Sequence, residues 1–263
     1  MSTIKQTFEI LKRDGRNGFI PFVTAGDPDL ETSLEIVLTL AENGADIIEL
    51  GIPFSDPMAD GPTIQASSQR ALGNGVSLSD ILRMVKAIRE KTDVPIVLFS
   101  YLNPLFRYGI ERLAEDAKVA GVDGVLVTDA VDEEAKEIAG VFRNNGIDLI
   151  SLIAPTTTDE RLKTIAQNAS GFLYAVSRPG VTGTQSETSE AAEILVRRAQ
   201  QVTDLPIAVG FGISTREQID DVWRYADAAV VGSAIVREIE KSIESGKTVE
   251  RVLGFVRVLL GHA

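Results

Sequence analysis

Carboxylates gather around the end of one apolar segment, IIELGIPFSDPMADGPTIQ, at residues 47–65. Glu49 stands within the apolar run itself, and Asp60 follows in a proline-rich loop that is unsuited to a sheet. Burial disfavours the charged form of a carboxylate and raises its pKa, which suits general acid–base catalysis. We therefore interpret Glu49 as a candidate acid–base; the alternative is a buried glutamate that pairs with a lysine or an arginine.

Asp60 and Asp56 have simpler structural explanations. Pro62 is well placed as the first residue of a helix, so that Asp60 or Gly61 could cap that helix. Asp56 lies in the sequence SDP, which is typical of a turn. Residue type alone does not favour a catalytic role for either aspartate.

Glycine-containing segments late in the chain predict an anion site; they are GVTGT (180–184), GFGIS (210–214) and VGSAI (231–235). Glycine lets backbone N–H groups approach an anion closely, and a helix N-terminus adds a favourable dipole. Ser214 and Ser233 could cap helices there or donate hydrogen bonds. A single glycine loop is weak evidence, because a tight turn also needs glycine. Two such loops after consecutive late strands indicate a phosphate site.

Aromatic residues could complete the site, namely Phe22, Tyr101, Tyr174 and Phe211. Each is more commonly a core residue than a ligand contact, but around one rim they could hold a flat apolar group. A phosphate at one end and two carboxylates at the other predict a substrate in which an aromatic ring carries a short phosphorylated chain.

Eight short apolar runs must position these residues, at 18–26, 45–51, 95–103, 124–129, 148–155, 171–177, 205–212 and 228–234. Their continuous apolar character is typical of strands that are covered on both faces. Amphipathic stretches separate them, and Asp27-Pro28 is a helix-start signal. The pattern predicts a (β/α)8 TIM barrel, with a doubly wound sheet as the alternative, and catalysis at the C-terminal strand ends.

The whole chain, residues 1–263, is predicted to form a single barrel domain, because no linker or change in composition divides it. The N-terminal stretch MSTIKQTFEILKRDG predicts an additional amphipathic helix before the barrel, without the apolar core of a signal peptide or a visible transit peptide. We therefore expect a cytoplasmic protein, or one of the plastid stroma if the source is a plant or an alga.

Composition argues against several classes of function. The net charge is −12 and no basic face is visible, so we expect no binding to nucleic acid. No apolar run reaches the roughly 18 residues of a membrane span. Cysteine is absent, the one histidine is His262, and no metal-ligand spacing is present, so we expect neither a metal nor another cofactor.

The sequence resembles the tryptophan synthase alpha subunit family from its first helix to its last. The matching segments are PFVTAGDPD (21–29), IELGIPFSDPMADGPTIQ (48–65), SRPGVTGT (177–184), GFGIS (210–214) and VGSAIV (231–236). The resemblance implies retro-aldol cleavage of indole-3-glycerol phosphate to indole and glyceraldehyde 3-phosphate without a cofactor. It also implies that indole passes to a beta subunit, within an α2β2 tetramer.

The resemblance further implies a role for individual positions. Glu49 would be the general acid–base that protonates indole C3 and takes a proton from the glycerol hydroxyl, and Asp60 would hold the indole N–H. Asp56 would face the beta subunit, and Thr182 would bond Asp60 once two mobile loops close, one of them at 177–190. The remaining implied contacts are Phe22, Tyr174 and Phe211 with the substrate, and Gly183, Gly212, Gly232 and Ser233 with its phosphate.

The sequence departs from the family at Ala130-Val131, where leucine and proline are usual, which affects the loop after the fourth strand. Three other functions stay open beside the lyase of a two-enzyme complex. A stand-alone lyase would have the same catalytic residues. A regulatory barrel without catalysis is disfavoured by the intact Glu49 and Asp60. Another phosphosugar enzyme, such as an isomerase, is disfavoured by the specific 48–65 segment and the absence of cysteine.

Overall fold

Eight parallel strands close into a barrel in chain order in the computed structural model, which describes residues 2–130, 132–176, 185–210 and 212–262, without the side chains of 132, 133 and 185–189. This confirms the predicted barrel and excludes the doubly wound sheet. The strands are β1 (Gly18–Thr24), β2 (Ile48–Gly51), β3 (Ile96–Ser100), β4 (Gly124–Val127), β5 (Asp148–Ile153), β6 (Leu173–Val176), β7 (Ile207–Gly210) and β8 (Ala228–Val231).

Helices cover the outside of the barrel and flank it at both ends of the chain. They are α1 (Thr3–Arg13), α2 (Leu30–Glu42), α3 (Pro62–Gly73), α4 (Leu78–Arg89), α5 (Leu102–Tyr108), α6 (Ile110–Ala120), α7 (Asp132–Asn144), α8 (Asp159–Asn168), α9 (Gln185–Gln200), α10 (Arg216–Val222), α11 (Ser233–Ser242) and α12 (Thr248–Leu260). None of the helices in the described ranges has both the length and the apolar character needed to span a bilayer.

The predicted additional helix at the N-terminus is α1. Ser2 caps it by accepting a hydrogen bond from the Lys5 N–H. Ile4, Phe8 and Leu11 are buried and belong to the same apolar cluster as the inward-facing residues of the strands. The helix therefore closes the N-terminal end of the barrel with apolar side chains.

Helix α2 begins two residues later than the Asp27-Pro28 signal suggests. Asp29 is its N-cap, and its carboxylate accepts a hydrogen bond from the Thr32 N–H at 2.8 Å. The side chain of Asp27 is fully buried instead, and it accepts two hydrogen bonds from Arg70 of α3, at 2.7 and 2.9 Å. The expected helix start is wrong because Asp27 has a tertiary partner that local sequence does not reveal.

Polar side chains join neighbouring strands at the N-terminal end of the barrel. Four of these side chains lie just before an even-numbered strand, within three residues of its start. Each accepts a hydrogen bond from a backbone N–H at the start of the preceding odd-numbered strand. The pairs are Asp46 with Phe19, Asp123 with Ile96, Ser170 with Leu149 and Asp227 with Ile207, at 2.8–2.9 Å. This end of the barrel is therefore a structural end, and the carboxyl ends of the strands are free for function.

Candidate active site

A cavity of about 600 Å³ opens at the carboxyl ends of the strands. The predicted site residues that line it are Phe22, Glu49, Asp60, Tyr174, Gly212, Gly232 and Ser233. The predicted residues Thr182, Gly183 and Phe211 lie outside the described residues, as does Val131 of the departure from the family pattern. The structure therefore brings Glu49 and Asp60 together with Phe22, Tyr174 and two of the three glycine loops, whereas Tyr101 is not part of the cavity lining.

Glu49 is the most unusual side chain of this cavity. It lies on β2, in register with Phe22 of β1 and Val97 of β3, and it has no exposed surface. Neither of its carboxylate oxygens has a hydrogen-bond partner among the described residues, which excludes an ion pair with any of them. Burial raises its pKa from 4.5 to about 8, so that its carboxyl group is mainly neutral at pH 7.

Asp60 lies in the loop after β2 and does not cap α3. Gly61 is the N-cap of that helix and Pro62 its first residue, which leaves the Asp60 carboxylate free to face the cavity. The Tyr101 hydroxyl accepts a hydrogen bond from the Ala59 N–H at 2.9 Å and is also bonded to Asp60. Burial raises the pKa of Asp60 to about 6, and the bond from Tyr101 opposes that rise.

Aromatic rings form a continuous wall beside Glu49. Phe22 meets Phe99 edge to face at a centroid distance of 5.3 Å, and Phe99 meets Tyr174 in the same way at 6.3 Å. Phe99 was not among the predicted site residues. Strand alternation could have identified it, because Val97 pairs with Glu49 and Phe99 lies two residues further on the same face.

Glycines at the ends of two strands make room for this wall. A Cβ atom at Gly51 would lie 2.8 Å from Cε2 of Phe22, and one at Gly210 would lie 2.6 Å from Cζ of Tyr174. Both distances are shorter than real side chains allow. The rings of Phe22 and Tyr174 can therefore occupy their positions only because Gly51 and Gly210 have no side chain.

We expect Gly210→Ala to displace the Tyr174 ring and to lower the free energy of unfolding by about 1–3 kcal/mol, because the added methyl group overpacks this position. Tyr174→Leu removes the ring atoms closest to Gly210 and should restore much of that loss in the double variant. Urea unfolding of the single and double variants measures the coupling. Gly254→Ala is the control, since its added Cβ meets no atom within 4 Å. Additive losses in the double variant would contradict the proposed contact.

The lining of the cavity also includes a helix N-terminus that no side chain of the described residues caps. The N-cap of α11 is Gly232, which has no side chain that could cap the first turn. Both Gly232 and Ser233 line the cavity. The first-turn N–H groups and the helix dipole there favour an anion. Gly212, which also lines the cavity, has a φ of 73°, a left-handed backbone conformation that favours glycine.

The neighbouring helix α10 is different, because its N-terminus is already capped. Thr215 and Gln218 form a capping box, and Ser214 donates from its N–H to the Gln218 side chain at 2.6 Å. Ser214 therefore does not cap this helix, contrary to one of its two predicted roles, and Ser233 is the first residue of α11 rather than its cap. Of these two helices, α11 is the one whose N-terminus no described side chain caps, and it is therefore the candidate for binding a ligand.

Asp56 lies outside the cavity, in the loop after β2, where its carboxylate accepts a hydrogen bond from Ser55 at 2.6 Å. The stretch 177–190, expected as a loop, is helical from Gln185 onward. Within the described ranges, no three His, Cys, Asp or Glu side chains lie close enough together to hold a metal ion.

The chain is similar to known proteins over nearly all of its length. Residues 8–258 match the family model described as Tryptophan synthase alpha chain. The Tryptophan synthase alpha chain of Citrifermentans bemidjiense is 51% identical, over 98% of this chain and 97% of the relative. That of Thermoanaerobacter pseudethanolicus is 47% identical, over 98% of each chain.

Solved structures agree with these sequence relationships. Tryptophan synthase subunit alpha from Legionella pneumophila superposes with a TM-score of 0.91 and 37% identity, over 98% of this chain and 97% of that one. A chain of the tryptophan synthase complex from Pyrococcus furiosus gives a TM-score of 0.84 and 42% identity, over 93% and 98%. The chain therefore belongs to the tryptophan synthase alpha chain family.

Proposed function

We propose that the chain uses this cavity to cleave indole-3-glycerol phosphate to indole and D-glyceraldehyde 3-phosphate. As a member of its family the chain is a carbon–carbon lyase of tryptophan biosynthesis. The observation that carries the assignment to this site is Glu49, a fully buried carboxyl group that faces an aromatic wall and has no hydrogen-bond partner among the described residues. An aromatic ring against that wall would present its reacting carbon to an acid that is neutral at pH 7.

The proposed reaction begins with proton transfer from Glu49 to indole C3. The positive charge that results is shared with the indole nitrogen, where the Asp60 carboxylate accepts the N–H and stabilises the cation. Glu49, now a carboxylate, takes the proton from the hydroxyl group next to C3, and the carbon–carbon bond breaks. Its electrons restore the aromatic indole while the aldehyde forms, and Glu49 is protonated again.

The rest of the cavity would hold the substrate in place. The rings of Phe22, Phe99 and Tyr174 support the indole contact, and the uncapped first turn of α11, at Gly232 and Ser233, supports binding of the phosphate. Gly212 would add a backbone contact. Thr182, Gly183 and Phe211 stay predictions, as substrate and phosphate contacts from outside the described residues.

Release of indole from the purified chain tests this function. The chain is mixed with indole-3-glycerol phosphate, and indole and glyceraldehyde 3-phosphate are both quantified. Equal amounts of the two products support the lyase. No turnover, with or without a beta subunit, would favour the regulatory barrel, and isomerisation without indole would favour another phosphosugar enzyme.

We expect a bell-shaped pH dependence of kcat/KM. Asp60 must be ionised, so activity is lost as the pH falls through about 6, and Glu49 must be protonated, so activity is lost as the pH rises through about 8. Steady-state rates between pH 5 and 9 at constant ionic strength measure both limbs. Unfolding scans across the same range separate titration from loss of structure. A flat profile would contradict the assigned protonation states.

The partner of this lyase is a beta subunit, and we propose an α2β2 tetramer in which the loops after β2 and β3 face it. Asp56 is exposed in the first loop, beside Met58, whose surface is 94% exposed. Phe106 of α5, after the next strand, is 57% exposed. Large apolar side chains exposed around the mouth of a site are typical of a protein interface.

We expect a saturating beta subunit from the same source to raise the rate of indole release by about 5–150-fold, which corresponds to a coupling of about 1–3 kcal/mol. A partner that binds the closed loops better shifts the chain toward that form. Met58→Asp should weaken the activation, whereas Val119→Asp, on the exposed surface of α6, should not. Full activity of the chain alone, unchanged by the partner, would favour a stand-alone lyase.

We also propose that residues 1–263 act as one domain in the cytoplasm. Buried residues of α1 and α12 at the two ends of the chain belong to the apolar clusters of the barrel, which supports a single unit. A single cooperative unfolding transition tests the first proposal, and cell fractionation tests the second.

A further inference from the structure

The proposed substrate carries a phosphate, yet the cavity is poor in positive charge. Asp60 and Asp221 both line it, and the whole chain carries a net charge of −12. Arg237 of α11 is the one basic residue among the described residues that line this cavity. Backbone amides alone would have to offset the repulsion between a phosphate and those carboxylates.

Arg237 is placed on the same side of α11 as the proposed phosphate contact. It follows Ser233 by four residues, a spacing that puts two side chains one above the other on a helix. Side chains of a helix also lean toward its N-terminus, which directs the guanidinium toward the uncapped first turn. Arg237 is exposed, so its long side chain has room to reach an anion at the mouth of the cavity.

The acidic residues near Arg237 on α11 are engaged by other cations. Glu238 forms ion pairs with Lys241 and Arg251, at 2.7 and 2.6 Å. Glu240 pairs with Arg70 of α3 at 3.0 Å. No hydrogen bond or ion pair joins the Arg237 side chain to any residue in the described ranges. Its charge is therefore available to a ligand.

We propose that Arg237 binds the phosphate group of the substrate, beside the first turn of α11, and so selects for phosphorylated substrates. This inference rests on the proposed lyase function. A guanidinium group donates two parallel hydrogen bonds to phosphate oxygens, in addition to its charge. Because the phosphate does not change during the reaction, Arg237 binds substrate and transition state alike. Its loss therefore raises KM and leaves kcat unchanged.

The test compares Arg237→Gln with Arg257→Gln, which makes the same change in charge on the exposed surface of α12, away from the cavity. Arg237→Gln should raise KM for indole-3-glycerol phosphate about tenfold at low ionic strength, with kcat within about twofold of the wild type. The increase should shrink at high salt, and the Kd of indole, which lacks a phosphate, should not change. Arg237→Lys keeps a point charge and should recover part of the loss. Far-UV circular dichroism and thermal unfolding check that all three variants fold.

Two failures can be distinguished. If the wild-type chain cleaves the substrate but Arg237→Gln and Arg257→Gln have the same KM at both ionic strengths, the role of Arg237 is overturned and the lyase assignment stands. If the wild-type chain cleaves nothing, the proposed function fails. The Kd of inorganic phosphate, measured for the wild type and both variants, then tests whether Arg237 belongs to an anion-binding site. A weaker Kd in Arg237→Gln alone supports an anion site there, and equal values in both variants overturn it.

Discussion

Glu49→Gln is expected to lower kcat by about 10²–10⁴-fold while it makes the folded chain more stable at neutral pH. The loss of activity follows because an amide cannot deliver a proton to indole C3 or take one from the hydroxyl group. The gain in stability follows from burial. Glutamine has nearly the shape of the neutral glutamic acid, and it cannot ionise in the unfolded chain.

The sign and the pH range of the stability change come from the raised pKa of Glu49. The folded chain holds the proton up to about pH 8, whereas an unfolded glutamate releases it near its ordinary pKa of 4.5. Stability from this group is therefore complete below about pH 4.5 and is lost progressively as the pH rises to about 8. At pH 7, holding the proton costs about 3 kcal/mol, at roughly 1.4 kcal/mol per pH unit. Glu49→Gln removes that cost.

Urea unfolding of the wild type and Glu49→Gln at several pH values measures this difference, which should widen from pH 5 to pH 8. Glu111→Gln is the matched control, since Glu111 is exposed on α6; it should leave kcat unchanged and lower the free energy of unfolding by at most about 1 kcal/mol, the usual effect of an acid in the first turn of a helix. Near-wild-type turnover of Glu49→Gln with an unchanged melting temperature would show that Glu49 is neither the acid–base nor a strained buried carboxyl group.

Asp60→Asn is expected to lower kcat by about 10²–10³-fold, the usual cost of removing one group that stabilises transition-state charge. Asparagine keeps the shape of the side chain and can still bond the indole N–H, but it cannot stabilise the cation that forms on protonation. The low-pH limb near 6 should also disappear from the residual activity, because that limb belongs to the Asp60 carboxylate. Steady-state kinetics between pH 5 and 9 measure both effects.

Asp56→Asn is the control for Asp60→Asn, because it makes the same change in charge in the same loop but outside the cavity. It should leave kcat of the isolated chain unchanged. Tyr101→Phe removes only the hydroxyl that holds Asp60 and Ala59, and it should lower kcat less than Asp60→Asn does. Equal rates for Asp60→Asn and Asp56→Asn would refute the role of the Asp60 charge.

The amino-acid sequence by itself determined the fold and the identity of the main chemical groups. Eight apolar runs separated by amphipathic stretches predicted the barrel, because buried strands and surface helices have local, periodic patterns. Glu49 and the late segments that contain Gly212 and Gly232 were identified from residue type at the ends of those runs, whereas the role of Asp60 came from the resemblance to the family, because residue type alone did not favour it.

Only the tertiary structure decided how those groups are partnered. It shows that no described residue pairs with Glu49, that Tyr101 bonds Asp60, that Phe99 completes the aromatic wall and that Arg237 lines the cavity. It also corrected the role of Asp27, which pairs with Arg70, 43 residues away along the chain. Local periodicity specifies which residues are strand, helix or core, whereas burial, pKa and ion pairing depend on residues that are distant in sequence and meet only when the barrel closes.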